Sequence, residues 1–221
     1  MAKPRSYKLL CPIARGLDRV GDRWTLLILR DLHAGPARFT DLQRGLTGIA
    51  ANLLTERLTK LVDDGLVKRT KGPHDTSLYE LTELGRKTRA LIFDLAMFGA
   101  HFPPEGDIVP PGNLRTVAVT LGAAAERVDA TGLSVVTSLV VDGEDMEVKA
   151  QNGAATVSYK PATDPDNRLE TSYASLMALS EGEMSEQAFL NDHCNIEVMT
   201  PGKESDLLSL MSLIFQVFSP T

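Results

Sequence analysis

Four prolines and two glycines fall within the eleven residues from Phe102 to Gly112, and no other feature limits the fold as strongly. Each proline fixes φ and removes a backbone donor, so neither a helix nor an interior strand runs through such a stretch. The chain therefore reads as two bodies, 1–102 and 113–221, joined by a linker at 103–112. At 221 residues it is long enough for two modest domains. The spacing of apolar residues changes across the join, from steps of three and four before it to alternation after it.

Charge divides at nearly the same place. Residues 1–105 carry 17 Lys/Arg against 12 Asp/Glu, a net of +5, whereas residues 106–221 carry 6 against 17, a net of −11, and the whole chain stands at −6. A basic half joined to an acidic half predicts that only the first meets a polyanion, because Lys and Arg neutralising phosphates supply most nonspecific nucleic-acid affinity. No run approaches the roughly 18 uncharged residues of a membrane span, and the N-terminal residues through Lys8 have charge without an apolar signal core, so a cytoplasmic protein without a membrane partner is expected. Cys11 and Cys194 belong to no C-x-x-C pair and the four histidines are dispersed, which predicts neither a disulfide framework nor a metal site. The G-x-S-x-G, H-E-x-x-H, Walker A and dinucleotide-glycine patterns are absent, so neither catalysis nor a cofactor is expected.

In the first half, Ile13, Leu17, Val20, Trp24, Leu27 and Ile28 form one apolar stripe of a helix ending near Ala34-Gly35-Pro36. Thr40 followed by Gln43 is a capping-box pattern that opens a short helix stopping at Gly45. A third helix over 49–64 turns Leu54, Leu58, Leu61 and Val62 inward and Asn52, Thr55, Glu56, Thr59 and Lys60 outward, with Gly65 as its terminator. Extended segments at 66–70 and 78–81 flank a polar tip at 71–77, which reads as a hairpin. A long helix then runs from Thr82 to about Gly99, with Leu84, Thr88, Leu91, Leu95 and Phe98 along one seam. A helix fits the major groove, and a basic hairpin with Lys68, Arg69 and Lys71 can follow the phosphates.

Cys11-Pro12-Ile13, the run from Gly21 to Arg30, Gly35-Pro36-Ala37-Arg38-Phe39, Leu53 to Leu58, Asp64-Gly65-Leu66-Val67 and Tyr79 to Gly85 together resemble the HxlR-type branch of the MarR-like winged helix-turn-helix regulators. The resemblance implies a dimeric regulator, usually a repressor, whose terminal helices build the dimer, and it implies double-stranded DNA as partner. It also marks Cys11, flanked by Lys8 and Arg15, as a thiol that some such regulators use as a redox switch. Three departures stand out: Arg23 replaces a lysine before Trp24, Ala50-Ala51-Asn52 replaces a Ser-Pro-Arg or Ser-Pro-Lys start of the recognition helix, and Lys71-Gly72-Pro73-His74 replaces a Pro-rich acidic wing tip. The expected DNA-binding residues are Arg38, Thr40, Asn52, Thr55, Thr59, Lys60, Arg69 and Lys71, with Asn52 able to pair bidentately with an adenine edge and Arg38, Arg69 and Lys71 suited to phosphates.

After the linker, Asp142-Gly143 and Asn152-Gly153 sit between alternating segments and predict hairpins of an antiparallel sheet. Helical spacing follows at 173–179, a strand at 194–199 and an amphipathic helix at 203–218. This α+β run resembles sterol-carrier-protein-like domains, which implies a small apolar ligand between sheet and helices, lined by Met146, Val148, Tyr159, Leu176, Met177, Met199 and Met211. Met suits a compliant apolar pocket, and a plain core is the competing reading. The sequence thus predicts a homodimeric DNA-binding regulator with a C-terminal effector domain. The alternative is a ligand-binding or interaction protein that keeps the winged helix only as a dimerisation scaffold.

Overall fold

The computed structural model describes residues 6–102 and 110–218, so most of the expected linker, 103–109, lies outside the described residues. The chain divides into two compact units between Asn113 and Leu114.

The first unit opens with α1 (Pro12–Val20) and α2 (Thr25–His33), where the apolar stripe alone predicts one helix. The break is chemical. Asp22 accepts the Trp24 N–H at 3.0 Å and the Thr25 N–H at 3.2 Å and also accepts a hydrogen bond from the Thr25 hydroxyl, which makes it a cap for α2 and ends the run begun at Pro12. Next come α3 (Phe39–Gly45) and α4 (Ala51–Asp63). The expected Thr40–Gln43 cap of α3 is replaced by one two residues earlier: Arg38 is the N-cap residue and its N–H donates to the Asp41 carboxylate at 3.1 Å. Strands β1 (Val67–Lys71) and β2 (Ser77–Leu81) pair antiparallel with Val67 opposite Leu81 and Lys71 opposite Ser77. Ala37 and Tyr79 exchange backbone hydrogen bonds of 3.0 and 2.8 Å, which fastens the hairpin to the segment before α3. The expected long helix is two, α5 (Glu83–Arg86) and α6 (Thr88–Gly99).

The core of this unit is built from Ile28, Leu29 and Leu32 of α2, Leu42 of α3, Leu54, Leu58 and Leu61 of α4, and Val67 and Leu81 of the hairpin. Burial there explains why α4 carries an apolar residue at every third or fourth place. The seam of the last helices is different. Leu84, Leu91, Leu95 and Phe98 are 47–61% exposed, while Phe93 is buried and Ile92 packs against the core of this unit.

His33, at the end of α2, lies within 3.0 Å of the Thr88 hydroxyl on α6. Burial, reinforced by the Arg89 charge, pushes its imidazole down to about 4. A histidine held neutral in the fold and protonated at 6.5 in the unfolded chain stabilises fully above the unfolded value and loses that contribution as pH falls through 6.5 toward 4. Because the ring is only partly buried, we expect about 1–2 kcal/mol from this group. Melting wild type and His33→Gln between pH 7 and pH 4.5 checks this: the wild type should lose more stability on acidification than the variant, and parallel losses would contradict it.

The second unit contains α7 (Arg115–Ala125), β3 (Val135–Val141), β4 (Glu144–Gln151), β5 (Ala154–Ser158), β6 (Asn167–Thr171), α8 (Tyr173–Ser180), α9 (Glu186–Asp192), β7 (Asn195–Val198) and α10 (Glu204–Gln216). The two expected hairpins are present, with Asp142 and Gly143 at φ 45° and 83° and Asn152 and Gly153 at φ 54° and 79°, the positive values that primed turns demand. The sheet, however, is mixed and not the antiparallel meander that the alternation predicts. Its order is β5-β4-β3-β6-β7, and β3 runs parallel to β6 with Leu139 beside Leu169. Leu139, Met146, Val148, Val157 and Leu169 are buried along one face. On that side α7 lies against β5, and α10 lies against α7 and β3. The opposite face carries Asp145, Glu147, Lys149, Arg168 and Glu170, with Arg168 bound to Glu170 at 2.6 Å.

Candidate nucleic-acid interface

The exposed side of α4 is prepared by what its inner side does. Leu54, Leu58 and Leu61 are at most 1% exposed, which turns Asn52, Thr55, Glu56 and Thr59 to solvent. Asn52 stands in the first turn with its amide outward, and no side chain caps α4 at Ala50. Thr55 and Thr59 donate their hydroxyl protons to the carbonyls of Ala51 and Thr55 at 2.9 Å each. They consequently offer methyl groups and acceptor lone pairs outward, a surface that suits the thymine methyl and adenine amino edges of a major groove.

Lys60 is committed elsewhere. Its ammonium pairs with Asp64 and lies 3.4 Å from the Arg19 carbonyl, and Arg19 itself reaches Asp64 at 2.6 Å. This cluster fastens the end of α1 to the end of α4. Arg57 does the same nearer the middle, donating to Asp22 at 3.0 Å, so one carboxylate both caps α2 and holds α4.

Of the remaining expected contacts, Arg38 and Thr40 are exposed at the start of α3, and Arg69 and Lys71 are exposed on β1. The Arg69 guanidinium lies 5.6 Å from the centre of the Tyr79 ring, which holds it beside the hairpin. Lys71 pairs with Asp75 across the tip at 2.6 Å, with both side chains more than three-quarters exposed, so the pair is weak and easily exchanged for a phosphate. Arg44, exposed in the last turn of α3, is a basic residue of the same region that the sequence reading overlooks. Its only signal in the sequence is its place just before the turn into α4.

Cys11 is exposed at the N-cap of α1, and Cys194 is partly buried with its thiol pushed up to about 11 by burial. The seven residues expected around an apolar ligand are not equivalent. Met146 and Val148 are buried on the helix-covered face of the sheet, and Leu176 and Met211 are buried on α8 and α10. Met177 and Tyr159 are half-buried, and the Tyr159 hydroxyl donates to Glu144. Met199 stands apart from the expected lining: it follows the edge strand β7 and is 47% exposed on the surface.

The order of α3, tight turn, α4 and a two-stranded hairpin defines a winged helix-turn-helix. A family model described as HxlR-like helix-turn-helix matches residues 19–107. Rv3095 of Mycobacterium tuberculosis, an HTH-type transcriptional regulator, is 43% identical over 107 residues, 47% of this chain and 65% of the relative. The chain thus spans just under two thirds of that relative's length. The HTH-type transcriptional regulator YodB of Bacillus subtilis is 30% identical over 103 residues, 45% of this chain and 92% of the relative. The solved reduced form of YodB superposes with a TM-score of 0.38 at 29% identity, over 45% of this chain and all of that one. The chain belongs to the HxlR-like helix-turn-helix family. Its second unit, beginning at Leu114, lies wholly beyond the matched segment.

Proposed function

We propose that the protein is a homodimeric, sequence-specific DNA-binding transcriptional regulator, acting as a repressor, in which α4 enters the major groove and the β1–β2 hairpin follows the phosphates. One observation carries the reading above the others: α4 is pinned to the core by Leu54, Leu58 and Leu61 and to α1 and the Asp22 loop by Lys60 and Arg57, while its outer face is left to Asn52, Thr55, Thr59 and Glu56, whose carboxylate is paired with Arg57. A helix held on three sides with a polar fourth side is mounted for insertion. Family membership and the net positive charge of residues 1–105 support the same partner. The exposed seam Leu84, Leu91, Leu95 and Phe98 supports a second copy of the chain as the dimer partner.

The second unit is the effector domain in this proposal. Its likeness to sterol-carrier-protein-like domains, together with a buried apolar face at Met146 and Val148 covered by α7 and α10, supports a small apolar ligand. Such a ligand changes DNA affinity only through unequal binding to two arrangements of the dimer. Cys11, exposed at the start of α1, is a second sensing candidate that thiol alkylation followed by a gel shift tests directly.

The reading is tested by Asn52→Ala and Arg69→Ala. Losing a bidentate base contact costs about 1–3 kcal/mol, so Asn52→Ala should weaken binding by roughly 5- to 150-fold for each half-site and relax preference at one base pair in each. Arg69→Ala should weaken binding to all sequences alike and make the salt dependence shallower. If neither variant changes DNA binding while both remain folded dimers, the scaffold reading, favoured by the poor recognition-helix start Ala50-Ala51, takes its place.

A further inference from the structure

Asn113 is 3% exposed, although it follows a stretch whose composition suits a solvated tether. Its Nδ2 donates to the Asp41 carbonyl of α3 at 2.9 Å. The side chain also occupies the space over Gly45, the last residue of α3. A Cβ on Gly45 would lie 2.8 Å from Asn113 Nδ2, 2.9 Å from its Oδ1 and 2.8 Å from Oδ2 of the buried Asp31. One residue earlier, Gly112 is pressed on the same helix: a Cβ there would lie 2.0 Å from the Arg44 carbonyl oxygen, a distance no side chain tolerates. A buried amide bonded to the backbone and two glycines that permit close approach make a built seat on the end of α3 from which the turn into α4 departs. The residues that press on α3, Gly112 and Asn113, lie beyond 107, where the family match stops.

The next residue is also held. The Leu114 N–H donates to Glu144 Oε2 at 2.8 Å, within the second unit, and its side chain is 6% exposed.

We propose that Asn113 is a positioning residue for DNA binding, a peg supplied from outside the family domain. It holds α3 and the turn into α4 in the arrangement that fits DNA. The proposal rests on the reading of α4 as the DNA-reading helix. Its test therefore includes a measurement that needs no DNA.

The experiment compares the full-length wild type with Asn113→Ala and Gly112→Ala by hydrogen exchange over residues 39–49 and by gel shift on the operator. Neither position belongs to the hydrophobic core around Leu42 and Leu58, and a thermal melt of each sample verifies folding. Both variants should exchange roughly tenfold faster across α3 and the turn, with the rest of the chain unchanged, and should bind operator on the order of tenfold more weakly. Unchanged exchange overturns the peg. Faster exchange with unchanged affinity overturns its positioning role, and weaker binding with unchanged exchange also overturns the peg, because the loss then does not arise in α3 or the turn. A wild type that binds no DNA defeats the reading of α4, while the exchange result still decides the seat.

Discussion

If the proposed dimer forms through the α5–α6 seam, replacing Leu91 and Leu95 together by Glu should yield a monomer that keeps its fold and loses at least about 100-fold in operator affinity. The two leucines are 49% and 47% exposed on α6, so charge there disturbs no core packing, and Phe93 on the inner side remains in place. Leu84, Leu91, Leu95 and Phe98 recur at helical spacing, and Phe98 packs edge-on against Phe102 at 5.2 Å between ring centres. A row of large apolar side chains of this kind is stable in water when another surface covers it. Two half-sites bound by a tethered pair gain about 10²–10⁴ over one half-site, and that gain disappears with the dimer. Sedimentation, circular dichroism and gel shift on the same variant test the claim. A variant that stays dimeric and binds as wild type places the dimer contact elsewhere.

Leu58→Ala is the larger effect on stability. Leu58 is fully buried midway along α4, among Leu42, Leu54 and Leu61, and its removal leaves a cavity behind the helix that carries Asn52 and Thr55. Truncations of this kind cost about 2–5 kcal/mol. In a domain of this size that corresponds to a fall in melting temperature on the order of 10–20 °C for the first unit. DNA binding should weaken well below that melting point, since α4 is mounted on the same side chains. A loss under about 1 kcal/mol in urea unfolding would show that α4 is held by its ion pairs, with the leucine core contributing little.

The first unit was readable because its chemistry is periodic. Leu54, Leu58 and Leu61 mark α4, Gly65 ends it, and the polar tip between Lys71 and Ser77 separates two short strands, all as observed. The misplaced features are those in which one side chain overrides the period: Asp22 splits the first helix by capping Thr25, and Asp41 moves the start of α3 to Phe39. In the second unit, α7 has the sequence Arg-Thr-Val-Ala-Val-Thr-Leu-Gly-Ala-Ala-Ala and is buried nearly all round, so it has no polar face to give it away. Strand β6 has Leu169 as its only apolar residue between Arg168 and Glu170, which look like loop residues until the polar face of the sheet is seen to hold them. The parallel pairing of β3 with β6 has no local signal, because it depends on a crossover through β4 and β5.

Among the expected DNA contacts, exposure agrees with the sequence pattern for Asn52, Thr55, Thr59, Arg38, Thr40, Arg69 and Lys71. Lys60 illustrates what periodicity misses: it faces outward by spacing, yet Asp64, four residues on, draws it into the cluster with Arg19. The peg at Asn113 was also hidden, since a proline- and glycine-rich stretch reads as tether whether or not its last residue is seated.

The central claim, sequence-specific DNA binding by the first unit, is tested most directly by a gel-shift titration. The full-length protein is titrated against the DNA upstream of its own coding sequence and against an unrelated duplex of equal length, at two salt concentrations near physiological. Specific recognition predicts a preference for the upstream fragment that survives the higher salt, because the nonspecific phosphate contribution falls steeply as salt rises. Absence of binding to either duplex at both salts would contradict the account.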